Sequence, residues 1–304
     1  MSSVLYDVPG PRAIARNRIL GVLTVIVVAA VVGYFVWRLA ATGQFTAEKW
    51  SAFTYTNVWI QIAEATGRTL AAFAAAGVGA LVLGFILAIG RMSDHAWVRI
   101  PVGAVVEVLR AIPVLVFMFL LYYGLPVIGI RMEPYWAVVI ALIAYNGSVL
   151  AEVIRAGVES LPRGQREAGY AIGLRKAGVM RLVLLPQAIR AMMPVIIAQL
   201  VVTLKDTALG FIITYPELLF FARTIGSQAT LDSPIVPATI IVAAIYIGLC
   251  ILLSLIANTV EKRLRRSAKT GRVAGANQPT QEVTDTELIV AQRTSGNAAD
   301  RAMP

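Results

Sequence analysis

The chain has 304 residues, of which 58% are hydrophobic and only 14% charged, with a net charge of +10 and a mean hydropathy of +0.74. So apolar a balance excludes an ordinary soluble domain, in which about a quarter of the residues are charged. The lone cysteine, Cys250, excludes an intrachain disulfide, and the lone histidine, His95, has no second His or Cys with which to hold a metal.

Six apolar runs follow one another, at about 19–41, 69–90, 102–125, 135–156, 188–213 and 235–258. Each is long enough to cross the roughly 30 Å hydrocarbon core as helix. None alternates as a strand does, and a backbone in lipid must satisfy its own hydrogen bonds within helices or a closed barrel. The expected fold class is all-α: a polytopic membrane protein of about six transmembrane helices.

Charge sets the orientation. Arg12, Arg16 and Arg18 precede the first run, Arg91 and Arg99 follow the second, and Arg155, Arg163, Arg166, Arg175, Lys176 and Arg181 follow the fourth. Lys262, Arg263, Arg265 and Arg266 follow the sixth, whereas the intervening loops hold only Lys49, Arg68, Arg131 and Arg223. Positive loops stay in the cytosol, so both termini and the 160–187 loop are expected there. This distribution accounts for the net charge without a nucleic-acid partner.

Residues 1–18 read as a cytosolic tail. The run at 19–41 ends in Tyr34, Phe35 and Trp37, an interfacial aromatic belt, and is too long for a signal-peptide core. It is expected to be a retained membrane anchor, with cleavage as the alternative. Residues 42–68 form an extracytoplasmic linker that is either an amphipathic surface helix or a packed loop. The second run is rich in small residues from Ala71 to Gly84, which suits close helix packing within the chain better than a dimerisation motif.

The loop at 160–187 carries the sequence EAGYAIGLRKAGVMRLVLLP at 167–186. A simple connection between membrane helices needs only a few residues of turn. This one is expected to hold two short helices split at Gly173, with Glu167 favourably placed at the positive end of the first. Ala168 and Gly169 keep a low profile for a partner, and Leu185-Pro186 ends the segment and opens the fifth run. Beyond Arg266 the composition turns polar; 261–304 is expected to be a disordered cytosolic tail, in which Glu287 to Val290 could form a short helix on a partner, though nothing requires it.

Intramembrane polar residues are the default pathway candidates. Here they are Asn146, Ser148, Gln199, Thr203, Lys205, Asp206 and Thr207; adjacent Lys and Asp offer partners to an amino acid's two charged groups, and helix–helix pairing is the equal alternative. Glu107 with Arg110, and Glu152 with Arg155, are spaced to pair on one helix face and are expected to be structural ion pairs. Neither a phosphate-binding P-loop nor a constellation of catalytic side chains is visible, so no catalytic residue is assigned.

The pattern Glu-Ala-small, three residues, Gly, nine residues, aliphatic, any, Leu-Pro resembles the coupling loop of ATP-binding-cassette importer permeases. EVLRAIP at 107–113, YYGLP at 122–126, YNGSVLAEVIRAG at 145–157, LPQAIR at 185–190 and LKDTAL at 204–209 are similar to the polar amino-acid branch, which imports histidine, glutamine, glutamate and arginine. The similarity covers roughly 65–260. It implies a five-helix permease domain at 69–260, to which 19–41 is additional. It also implies ATPase coupling through Gln165, Glu167, Ala168, Gly169, Gly173, Leu185 and Pro186. The implied partners are two ATPase subunits that bind ATP and Mg, a second permease chain, identical or related, and an extracytoplasmic binding protein. A bacterial plasma membrane and a glutamate- or glutamine-like substrate are also implied, with no cofactor or metal in this chain. Two departures stand out: Gly169 where the family usually has alanine, and Ala208 where serine is common. An ion-gradient-driven transporter or channel is the alternative from another class, and a scaffold that merely recruits a partner is a third.

Overall fold

A computed structural model describes the backbone of residues 10–269 and the side chains of 10–262; the sequence readings for 1–9 and 270–304, Glu287 to Val290 included, lie outside the described residues. Among the described residues eleven α-helices follow one another and no strand occurs. They are α1 (Pro11–Ala41), α2 (Ala47–Ser51), α3 (Thr56–Arg91), α4 (Ala96–Ala111), α5 (Val114–Phe119) and α6 (Pro134–Glu159). After these come α7 (Arg163–Ala171), α8 (Lys176–Gly178), α9 (Leu185–Asp206), α10 (Leu218–Gly226) and α11 (Ile235–Lys269). One packed unit runs through Glu261, and the last turns of α11, from Lys262, belong to a second unit. The basic residues at 262–266 lie within α11, so the described part of the expected tail, to Lys269, is helical.

The α6 helix is the axis of the packed unit. Pro134 starts it, where a missing N–H costs nothing, and its buried face packs on α3 and, less extensively, on α9. The α3 helix buries Val58, Ile62, Ala65, Thr69, Ala72, Ala76, Ala80, Gly84 and Ala88, a three-and-four spacing that forms one face. Small residues there allow the axes to approach closely. A Cβ added to Gly84 would lie 2.8 Å from Leu150 Cβ and 2.9 Å from the Gly147 carbonyl oxygen. The small-residue stretch is thus consumed in packing inside the chain, which is the source of attraction between helices where lipid supplies none.

Five helical stretches are long and apolar enough to cross a membrane: Pro11–Ala41, Thr56–Arg91, Pro134–Glu159, Lys176–Ile213 and Ile235–Lys262. The run expected at 102–125 is different. It is broken between Ala96–Ala111 and Val114–Ile128, which meet at 95°. Pro113 is the cause: proline disfavours helical geometry in the preceding residue, and Ile112 is extended at φ −80°, ψ 121°. Beyond α5 the helix widens at Leu120–Gly124, tightens at Leu125–Ile128 and ends at Gly129 with φ +85°.

The linker is shorter than expected. Helix α3 starts at Thr56, after α2 and one tight turn, so the boundary falls at 55 rather than 68. At 1.5 Å per residue α3 is about 54 Å long, well beyond the hydrocarbon thickness. Its third and fourth turns carry the exposed pair Glu64–Arg68, 3.3 Å apart. Helix α1 stands apart from this packing, with no buried residue.

Candidate functional site

The 160–187 loop is built from a proline start and a glycine stop. Pro162 holds the chain extended before Arg163, and α7 runs to Ala171. Gly173, at φ +82°, then reverses it. Its N–H donates to the Tyr170 carbonyl at 2.9 Å and that of Leu174 to the Gly169 carbonyl at 3.2 Å. This is a Schellman turn, which satisfies two of the last carbonyls and needs a residue free of the Cβ penalty at positive φ. Gly173 therefore splits the loop as the sequence suggests. The second half of the loop is not a separate short helix, because one continuous helical stretch runs from Lys176 to Ile213. It contains a wide turn at Val179–Leu184, immediately before Pro186. A wide turn relieves the crowding that a proline ring causes in a regular one.

The expected coupling residues divide between two faces. Gln165, Glu167 and Ala168 are exposed along α7. Glu167 is in the second turn, not the first, since Pro162 starts the helix two residues earlier than expected; its dipole argument fails. Gly169 is buried and points inward, where an added Cβ would lie 2.9 Å from Val179 Cγ2. Its small size serves packing against the next helical stretch, so the low-profile docking role expected for it is corrected. Leu185 packs between two apolar clusters, inside the protein. Tyr170, Ile172 and Leu182 add exposed apolar surface beside α7, a mixture suited to a partner's groove.

Above the loop lies an ion network that crosses three helices. Glu107 meets Arg91 of α3 at 3.6 Å rather than Arg110, its expected partner on the same helix. Arg91 also approaches Glu152 of α6 at 3.6 Å. Glu152 does meet Arg155, whose Nε donates at 3.0 Å, and Arg155 continues to Glu159 at 2.5 Å. The third helix, α3, had no visible claim on these acids in the sequence.

Four of the seven pathway candidates are closed off: Asn146, Ser148, Thr203 and Thr207 are fully buried. The Asn146 amide donates to the Leu142 carbonyl at 3.0 Å and its oxygen accepts from Gln199 at 2.7 Å, joining α6 to α9. The hydroxyls of Ser148, Thr203 and Thr207 donate to carbonyls three or four residues earlier on their own helices. The Asn146–Gln199 bond therefore ties two helices together, whereas the three hydroxyls are satisfied within their own helices. Lys205 is exposed and Asp206 half-buried, and neither forms an ion pair with another residue among those described.

One buried acid escaped the sequence reading. Glu217 is fully buried, and its carboxylate accepts from the N–H groups of Leu219 and Phe220, both at 2.7 Å, and from the Tyr246 hydroxyl at 2.6 Å. It caps α10 and ties it to α11. Thr69 Oγ1 accepts from Leu218 N at 3.3 Å, and the Tyr215 hydroxyl donates to the Arg68 carbonyl at 2.7 Å, which binds the same corner to α3. An acid directly before an apolar run is a helix-start signal that could have found it. Among the described residues no group of three or more His, Cys, Asp and Glu side chains could hold a metal ion.

Residues 80–266 match the family described as binding-protein-dependent transport system inner membrane component, and the chain belongs to that family. It is similar to the glutamate transport system permease protein GluD of Corynebacterium glutamicum, with 36% identity over 231 residues, 75% of this chain and 84% of that protein. The probable glutamine permease protein GlnP of Bacillus subtilis is 35% identical over 162 residues, 53% of this chain and 74% of the other. A solved amino acid ABC transporter with histidines superposes with a TM-score of 0.64 at 30% identity, covering 72% of this chain and all of that one. The chain is accordingly a multi-pass permease subunit of an ABC importer, the expected fold and class.

Proposed function

We propose that this subunit imports a polar amino acid, glutamate or glutamine being the first candidates, by alternating access driven from outside the chain. Two ATPase subunits, holding ATP and Mg, grip the exposed face of α7 at Gln165, Glu167 and Ala168. Two permease chains, identical or related, enclose the pathway, and an extracytoplasmic binding protein delivers the substrate. Both termini and the 160–187 loop face the cytosol of a bacterium, in keeping with the positive-inside distribution.

The observation that carries this reading is the α7 device: an exposed helix, closed by Gly173 and locked through Gly169 onto the stretch that becomes α9. Movement imposed on α7 is thereby handed to a membrane helix. The names of the relatives support the substrate class. Lys205 and Asp206, a cation and an acid near the end of α9 remote from α7, are proposed pathway contacts, because charges in a membrane are costly unless paired or hydrated. Glu152 with Arg155, and Glu107 with Arg91, are proposed structural pairs.

The test is reconstitution of the chain with its ATPase and binding protein in liposomes. Uptake of labelled glutamate or glutamine that requires internal ATP and the binding protein supports the proposal. Uptake driven by an ion gradient without the ATPase would establish the alternative class instead.

A further inference from the structure

At the end of the bundle that carries α7, the turn between α3 and α4 reaches across to the segment after Gly173. The Lys176 ammonium donates to the Met92 carbonyl at 3.3 Å and pairs with the Asp94 carboxylate. The hydrogen bond from Lys176 holds the Asp94 carboxyl below its ordinary range, aided by the charges of Lys176 and Arg99. The Met92 side chain belongs to two apolar clusters at once. One is the α3, α4 and α6 group around Ala88, Val106 and Ile154; the other surrounds Val158, Val179 and Leu184. Val179 is the residue seated against Gly169 of α7. Arg91, immediately before Met92, holds Glu107 of α4 and Glu152 of α6.

These contacts form a continuous physical path. We propose that the turn at 92–95 is a second transmission arm, in which Met92 and Asp94 take up the motion of α7 through Lys176 and pass it to α3, α4 and α6. The inference rests on the permease reading above and adds positioning residues outside the helix that meets the ATPase. A partly exposed ion pair adds little to folding stability. A backbone hydrogen bond and a shared methionine make the same contact a joint between two moving parts. Its loss should leave the fold and the ATPase docking intact while the membrane helices follow α7 less completely. Energetic coupling of this kind needs an element that both sites bias, and the 92–95 turn touches Lys176 on one side and the α3, α4 and α6 cluster on the other.

The experiment measures molecules imported per ATP hydrolysed by the full transporter in liposomes. Lys176→Met and Asp94→Asn should each lower this ratio about threefold, with ATP hydrolysis retained. The double variant should be no worse than either single one, and the exchanged pair, Asp94→Lys with Lys176→Asp, should recover part of the loss. Unchanged ratios in both single variants, or losses that multiply in the double variant, would overturn the proposal. A separate readout is the distance between spin labels at His95→Cys and Ala171→Cys in a Cys250→Ser background. It should stay within about 2 Å between nucleotide-free and ATP-trapped states, and a larger change would overturn the joint. A wild-type assembly that hydrolyses ATP without importing any amino acid would instead refute the amino-acid substrate proposed above.

Discussion

Replacing Glu217 with alanine should destabilise the corner where α3, α10 and α11 meet. The side chain accepts three hydrogen bonds of 2.6–2.7 Å in a fully buried setting. Truncation strands the amides of Leu219 and Phe220 and the Tyr246 hydroxyl. These donors are half-buried, so each costs about 1 kcal/mol or more when left unsatisfied, for at least about 3 kcal/mol in all. Glu217→Gln keeps an acceptor oxygen but turns an NH₂ toward donors, so about 1–2 kcal/mol is expected. The assay is thermal unfolding of the detergent-purified protein. Soluble domains of this size lose about 2–4 °C per kcal/mol, which sets an expected fall of at least about 6 °C for the alanine variant. Tyr246→Phe provides the control. In that background the alanine substitution should cost less than in the wild type, because one stranded donor is already gone. A loss under about 2 °C, or strict additivity with Tyr246→Phe, would show that the corner is held by apolar packing and not by the carboxylate.

Gly173→Val should abolish uptake with the protein still folded in the membrane, since φ +82° costs a β-branched residue about 1–3 kcal/mol and displaces the Schellman turn; normal uptake at normal membrane levels would refute it. Glu167→Arg reverses an exposed charge on α7 and should lower recovery of the ATPase on co-purification at least about fivefold. Gly169→Val should push Val179 aside and cost about 1–3 kcal/mol of overpacking, seen as a lower unfolding temperature and not as a loss confined to ATPase binding. Lys205→Met and Asp206→Asn should each reduce uptake at least about tenfold with assembly intact; unaltered uptake across substrate concentrations would remove them from the pathway.

Long apolar runs were legible because the bilayer imposes a minimum helix length, and five of the six expected runs are continuous helices. The break at Ile112–Pro113 was not, since proline alone does not say whether a membrane helix kinks or turns a corner. Gly173 could be read correctly because a turn requirement is local to the backbone. Gly169 could not, because facing a partner and facing Val179 both call for a small residue. Polarity marked Asn146 and Thr203 as needing hydrogen-bond partners without saying where those partners lie. They turned out to be Gln199 and a carbonyl of its own helix. The same limit applies to Glu107: its neighbour three residues on is visible in a sequence, whereas Arg91 becomes a neighbour only when α3 and α4 fold together.

The wide turn at Val179–Leu184 meets α7 through its first residue, Val179, and leads directly into α9. Such a turn holds one residue more than a regular α-helical turn. It therefore acts as a phase shifter between the two ends of a single rod. Deleting one residue there would rotate everything downstream by about 100° and draw it in by about 1.5 Å. Gln199 would swing away from Asn146 while Val179 stayed against Gly169. Two chains that share every contact around α7 could thus present different faces of α9 to a solute, separated by nothing more than the length of this turn.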